Sequence, residues 1–211
     1  MNSKRTTNWR GSPLLLAIGL AAGLASHAAQ ADLINTDFSA GFSGWEAEVT
    51  YYNYAENESF TQSGDVFGQY PGNFSVQSDS ASLFTTMDQD NDYWSVTMYQ
   101  ETQLSALNIN DSLTFSLDVS ASLTDTVSDF FFVQLRDLST DDVIDMSMGG
   151  SFDISEWAGK MVSFEFGVID NDFVLNDSLT VRNIDLTVAS VPAPASGLLV
   201  ALGFVVLARR K

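Results

Sequence analysis

Asp88, Asp90 and Asp92 stand at alternate positions, the D-x-D-x-D spacing that opens many calcium loops. Carboxylates so placed converge on one hard cation when the backbone curls around it. The remainder of an EF-hand is missing. Tyr93 occupies the sixth loop position, where Gly is needed, and Tyr99 the twelfth, where Glu belongs. The stretch reads as a calcium loop of another kind or, more simply, as a solvated turn. A second acidic group, Asp170, Asp172 and Asp177, lies between two expected strands and has the same two readings, with a polar hairpin loop the simpler.

Aromatic side chains offer different chemistry. A pyranose stacks its C–H face on an aromatic ring while Asp, Asn or Gln side chains bind its hydroxyls. Tyr51, Tyr52, Tyr54 and Tyr99 are the candidates for such contacts, since strand alternation turns some of them to solvent; Tyr70 and Tyr93 are of the same kind. Trp45, Trp94 and Trp157 sit in contexts that read as core. Paired carboxylates also run glycoside hydrolysis. Among 27 acidic residues, however, some pairs fall at catalytic separation by chance, and none stands out by an apolar neighbourhood.

What is missing narrows the chemistry further. The chain has no cysteine, and its one histidine, His27, lies in an N-terminal stretch with the marks of a secretory signal peptide. Lys4, Arg5 and Arg10 form the basic region, Leu14 to Ala25 a short apolar core, and Ala29-Gln30-Ala31 the small-residue site before Asp32. A mature chain starting at Asp32 has neither a His- nor a Cys-based nucleophile, no imidazole or thiolate zinc site, and no disulfide. All 27 acidic residues lie between Asp32 and Asp185, against Arg136, Lys160 and Arg182 alone. So anionic a domain repels nucleic acid and anionic lipid and invites hard cations, calcium above all.

The elements that must position these residues are strands. Leu113, Phe115, Leu117 and Val119 alternate with polar residues; so do Trp94, Val96 and Met98, and again Val162, Phe164, Phe166 and Val168. Phe130 to Leu135 is apolar apart from Gln134, which predicts a central strand covered on both faces. Weaker strands are expected over Glu46–Tyr54, Ser80–Thr85, Val143–Met148 and Leu179–Val188. One helical turn fits Asp153 to Gly159, with Asp153 as cap and Gly159 as terminator. Short strands joined by polar turns predict an all-β, antiparallel two-sheet sandwich over residues 32–188.

The opening Asn35-Thr36-Asp37-Phe38, with Gly41-Phe42-Ser43-Gly44-Trp45, resembles the start of galactose-binding-like jelly rolls, the fold of many carbohydrate-binding modules. The close is similar too: Trp157-Ala158-Gly159-Lys160, a strand, an acidic turn, then Val181-Arg182-Asn183-Ile184-Asp185-Leu186. That family pairs its closing strand with its opening one near a structural calcium. The resemblance implies ligands from Asp37 and from Asn183 or Asp185; Arg182 stands where the family often has Asp.

After residue 188 the composition changes again. Val191-Pro192-Ala193-Pro194-Ala195 is followed by an apolar run from Gly197 to Ala208 and then by Arg209-Arg210-Lys211. Prolines keep the pentad extended, the run prefers lipid to water, and the terminal cations favour the cytoplasmic side. This three-part layout resembles the PEP-CTERM sorting signal, with Ala193 where that family has Glu. The resemblance implies a membrane-anchored intermediate in the inner membrane, an exosortase-like processing enzyme as partner, and a final place at the cell surface or in the extracellular matrix. A plain tail anchor is the alternative.

The expectation from the sequence is an exported, non-catalytic protein of the envelope or biofilm matrix that binds extracellular polysaccharide, with calcium holding its loops. A purely structural adhesion protein and a small glycan hydrolase or lyase are the alternatives.

Overall fold

The computed structural model describes residues 33–190. The cleavage-site residues Ala29, Ala31 and Asp32, and the tail residues Val191 to Ala195, Arg209 and Arg210, lie outside the described residues, as does the apolar run between them. Among the described residues, no helix is long and apolar enough to cross a membrane.

Twelve strands follow one another: β1 (Glu46–Asn53), β2 (Glu58–Gly64), β3 (Phe74–Gln77), β4 (Ser80–Phe84), β5 (Thr86–Met87), β6 (Asn91–Gln103), β7 (Ser112–Ser122), β8 (Phe130–Asp137), β9 (Val143–Asp145), β10 (Gly150–Asp153), β11 (Met161–Ile169) and β12 (Ser178–Ala189). They form two antiparallel sheets. One has seven strands, in the order β2-β1-β6-β11-β8-β9 with β5 paired to β6; the other has five, in the order β10-β7-β12-β4-β3. The expected all-β two-sheet sandwich is what forms.

Period-two alternation builds the core. Val96 and Met98 of β6, Val162, Phe164, Phe166 and Val168 of β11, and Leu113, Phe115 and Leu117 of β7 all point inward and are buried. The sheets meet where the Phe115 and Phe164 rings lie 4.7 Å apart. Each such side chain contributes about 1.5–3 kcal/mol by leaving water, so the apolar stripe of β11 alone holds the middle of the larger sheet in place.

At the opening, Trp45 packs on Phe38 and Phe166 and donates its indole N–H to the Asn35 carbonyl. Trp157 is also buried, whereas Trp94, expected in the core, is only half-buried. It sits where the β1–β6 register slips between Thr50 and Tyr51, so the extra β6 residue at the bulge interrupts the alternation.

The helical turn is a short 3-10 segment, Ser155–Trp157, whose cap residue is Ile154 rather than Asp153. Asp153 instead accepts hydrogen bonds from the backbone and hydroxyl of Ser155. Gly159 follows the turn at φ +80°, a conformation that suits glycine.

A second difference matters more. β8 is not a strand covered on both faces. Val133 and Leu135 are buried, but Phe132, Gln134 and Arg136 between them are only half-covered and face away from the core. The apolar run is continuous because Phe132 adds an aromatic ring to the outer surface of the larger sheet.

Candidate functional site

That outer surface carries a shallow cleft of about 340 Å³. Strand register builds its floor in rows. Ser63 of β2, Glu48 of β1, Thr97 of β6, Gly167 of β11 and Phe132 of β8 are successive neighbours across the sheet. The next row runs Glu46, Tyr99, Glu165, Gln134, and the one after it Glu101, Ser163, Arg136.

Gly167 has a specific reason to lack a side chain. A Cβ at that position would lie 2.2 Å from Cζ of Phe132, so the Phe132 ring occupies the space above β11. A glycine inside a strand loses packing and gains backbone freedom; here the vacated space is filled by the neighbouring ring.

Glu165 is nearly out of solvent, its side chain 8% exposed against 39% for Arg136. Arg136 Nη2 donates to both carboxylate oxygens at 2.5 Å, and Gln134 Nε2 donates to Oε2 at 2.7 Å. The hydrogen bond to Glu165 holds the Arg136 guanidinium above its ordinary pKa. Tyr99 donates its hydroxyl to Glu46 at 3.0 Å. Burial, reinforced by that hydrogen bond, pushes the Tyr99 phenol up to about 12. The surface thus presents one ring face, a guanidinium, an amide and a phenol among carboxylates. Such a surface fits an uncharged, hydroxyl-rich ligand and repels a polyanion.

A different arrangement closes one end of the sandwich. Phe130 pairs with Ile169 at the last step of the β8–β11 ladder, so Asp129 and Asp170 follow directly at its end. Asp177, immediately before β12, joins them from the smaller sheet. The three are 3%, 2% and 0% exposed, and each offers a carboxylate oxygen within 4.8 Å of the others.

Local hydrogen bonds fix each one. Asp129 accepts from the Asn171 and Asp125 amides, Asp170 Oδ1 from the Asp172 and Phe173 amides, and Asp177 Oδ1 from the Thr124 amide and hydroxyl. Asp170 Oδ2 is buried and has no hydrogen-bond partner. Burial raises the pKa of Asp170; the Phe173 amide opposes this, and the charges of Asp129, Asp177 and Asp172 add to it.

Of the tyrosines, Tyr99 lies in the cleft, while Tyr51 packs against the core beside Phe60, Tyr70 and Tyr93. Tyr52 and Tyr54 form an edge-to-face pair, their hydroxyls bound to Asn57 and Asp92.

Asp88, Asp90 and Asp92 are not gathered. Asp88 accepts from the Asp90 and Asn91 amides and the Tyr93 hydroxyl, and Asp92 already belongs to β6 and takes the Tyr54 hydroxyl. Among the described residues, Asp129, Asp170 and Asp177 are the one trio of His, Cys, Asp or Glu so close together. Asp172, grouped by sequence with Asp170 and Asp177, instead caps the Val174 amide.

Asp37 and Asn183 are linked through backbone bonds to Asp79, so the opening segment does meet the closing strand. Their side chains point to other partners: Asp37 to Ser39, Asn183 to Asp118, and Asp185 to Thr187.

Sequence reasoning missed Phe132, Gln134, Arg136, Glu165 and Gly167 as a group, and Asp129 as a member of the trio. The usable signal for the first group was a glycine and a glutamate on the polar side of an otherwise apolar strand.

No family model and no curated protein matches the sequence. Among solved structures, that of TmCBM61 in complex with beta-1,4-galactotriose is similar over 75% of this chain and 98% of that one. The identity is 10% and the TM-score 0.43. A likeness at that level says nothing of ligand.

Proposed function

We propose that the protein is exported, sorted to the cell surface or extracellular matrix by its C-terminal tail, and binds polysaccharide there without cleaving it. The observation that carries the binding role is the Phe132 ring lying over Gly167, with Arg136, Gln134, Tyr99 and Glu101 around it in the same cleft. A ring face takes the C–H surface of a sugar, and fixed polar side chains beside it take the hydroxyls.

The non-catalytic reading has its own support. The cleft's most buried carboxylate, Glu165, has its oxygens engaged by Arg136 and Gln134, a pairing that accounts for its burial without a catalytic role. Export and sorting rest on the basic-apolar-small pattern ending at Ala31 and on the Pro192 and Pro194 tail.

A glycan array probed with the full chain, followed by affinity electrophoresis against the polymers it selects, tests the binding role. Retardation by a neutral polysaccharide that is lost in Phe132→Ala is expected. Retardation unchanged by that substitution, or none by any neutral polymer, overturns it. Release of reducing ends from those polymers would overturn the non-catalytic reading. Mass spectrometry of the native protein tests export: a product starting at Asp32 is expected, and one retaining residues 1–31 in the cytosol refutes it.

A further inference from the structure

We propose that Asp129, Asp170 and Asp177 bind one calcium ion, which joins the loop before β8, the end of β11 and the start of β12. The inference does not depend on the polysaccharide reading.

The electrostatics favour a counter-charge. Three carboxylates almost wholly removed from water lie together, and burying unpaired charge is among the costliest things a fold can do. The described residues supply no cation there. The three basic residues of the described region are engaged elsewhere: Arg136 with Glu165, Lys160 with Asp137, and Arg182 with Asp118. Asp129 and Asp170 also face one another at a ladder end, where like charges destabilise the pairing.

The geometry says which cation. Donors are carboxylate oxygens, which selects a hard ion. Calcium–oxygen bonds of about 2.3–2.6 Å allow ligands across one ion to lie nearly 5 Å apart, matching oxygens that lie within 4.8 Å of each other. Magnesium needs a tighter octahedron and keeps its waters, which suits a dry three-carboxylate cluster less well. Asp170 Oδ2, buried and without a hydrogen-bond partner, is an acceptor held ready for such an ion. Thr124 reinforces the enclosure, its hydroxyl lying within hydrogen-bond reach of both Asp129 and Asp177.

The consequence is a cross-sheet clamp. Asp129 and Asp170 border the larger sheet, and Asp177, bonded to Thr85 just past β4, borders the smaller. The Phe132–Gly167 pair of the cleft lies three ladder steps from this end, so an ion there also braces the strands that carry the cleft floor.

The test uses the full chain, stripped with EGTA and titrated with CaCl₂ by calorimetry, alongside thermal melts in EGTA, CaCl₂ and MgCl₂. One calcium per chain is expected, with Tm rising by roughly 5–10 °C at a hundredfold excess over Kd. Asp170→Asn should abolish the response and melt no lower than wild type in EGTA, because it removes a repelled charge. Asp177→Asn is the second arm should that variant fail to fold, and Asp90→Asn, on an exposed turn, should respond as wild type does. Absence of a calcium response in the wild type, an undiminished response in Asp170→Asn, or an equal response to magnesium overturns the proposal.

Discussion

Glu165 in the cleft and Asp170 at the loop end belong to one segment of chain, and both are nearly out of contact with water, at 6% and 2% exposure. Glu165 has its counter-charge on the next strand, where Arg136 grips both of its oxygens. Asp170 has two more carboxylates beside it and, among the described residues, no cation. One carboxylate therefore has its counter-charge within the fold, and the other, on the calcium proposal, would take it from the surrounding medium. Few basic residues make the difference stark: of the three cations in the described region, Arg136, Lys160 and Arg182, the fold has put one in the cleft.

The strongest way to break this comparison is to remove the internal counter-charge. Arg136→Met strands Glu165 and should cost about 2 kcal/mol in urea unfolding, below the usual figure for a buried pair because the arginine is partly exposed. Adding Glu165→Gln should recover most of that loss. No destabilisation by the single substitution would mean that the cleft carboxylate needs no partner, and the contrast would collapse.

Next in size is the effect on binding. Phe132→Ala should weaken polysaccharide affinity by about tenfold, near 1.4 kcal/mol, as measured by affinity electrophoresis. Gly167→Ala should act in the same direction, since its Cβ would meet the ring at 2.2 Å and force it off the strand.

A smaller effect of opposite sign belongs to the loop end. In chelator, Asp170→Asn should raise stability by about 0.5–1 kcal/mol, set by relief of like-charge repulsion. A fall instead would show that the charge is already balanced.

The mildest change is expected on acidification. Asp137 is buried and paired with Lys160 at 2.9 Å. Hydrogen bonds from Ser139 and Lys160 hold its carboxyl well below the ordinary value of 3.8. A depressed carboxylate contributes stability above its unfolded pKa and loses it as pH falls. A modest fall in Tm should therefore set in below about pH 4, and Lys160→Met should flatten it.

Strands with one apolar face were legible in the sequence, because burial imposes alternation on them: β7, β11 and the inner half of β6 read directly. β2, β3 and β10 did not, since edge or near-edge strands such as Glu58–Gly64 bury little and carry no such stamp. The same logic misread Phe130 to Leu135, where an apolar residue on the outer face mimicked a doubly covered strand. Tyr99 was found in the cleft region by type alone, but its neighbours arrive from four other strands through register that local pattern does not encode. The acidic trio illustrates the same limit. Asp170 and Asp177 are near in sequence, whereas Asp129 is brought in by the β8–β11 ladder; of the more conspicuous Asp88, Asp90 and Asp92, Asp88 spends its oxygens on a turn and Tyr93, and Asp92 takes the Tyr54 hydroxyl.

β12 starts beside Asp177 and runs twelve residues to Ala189, a span of roughly 35–40 Å. A chain held by whatever follows Ala189 would stand with that strand as its upright. Its carboxylate-lined crown would point to the far side, toward the surroundings and their dissolved ions, with the Phe132 cleft along the flank.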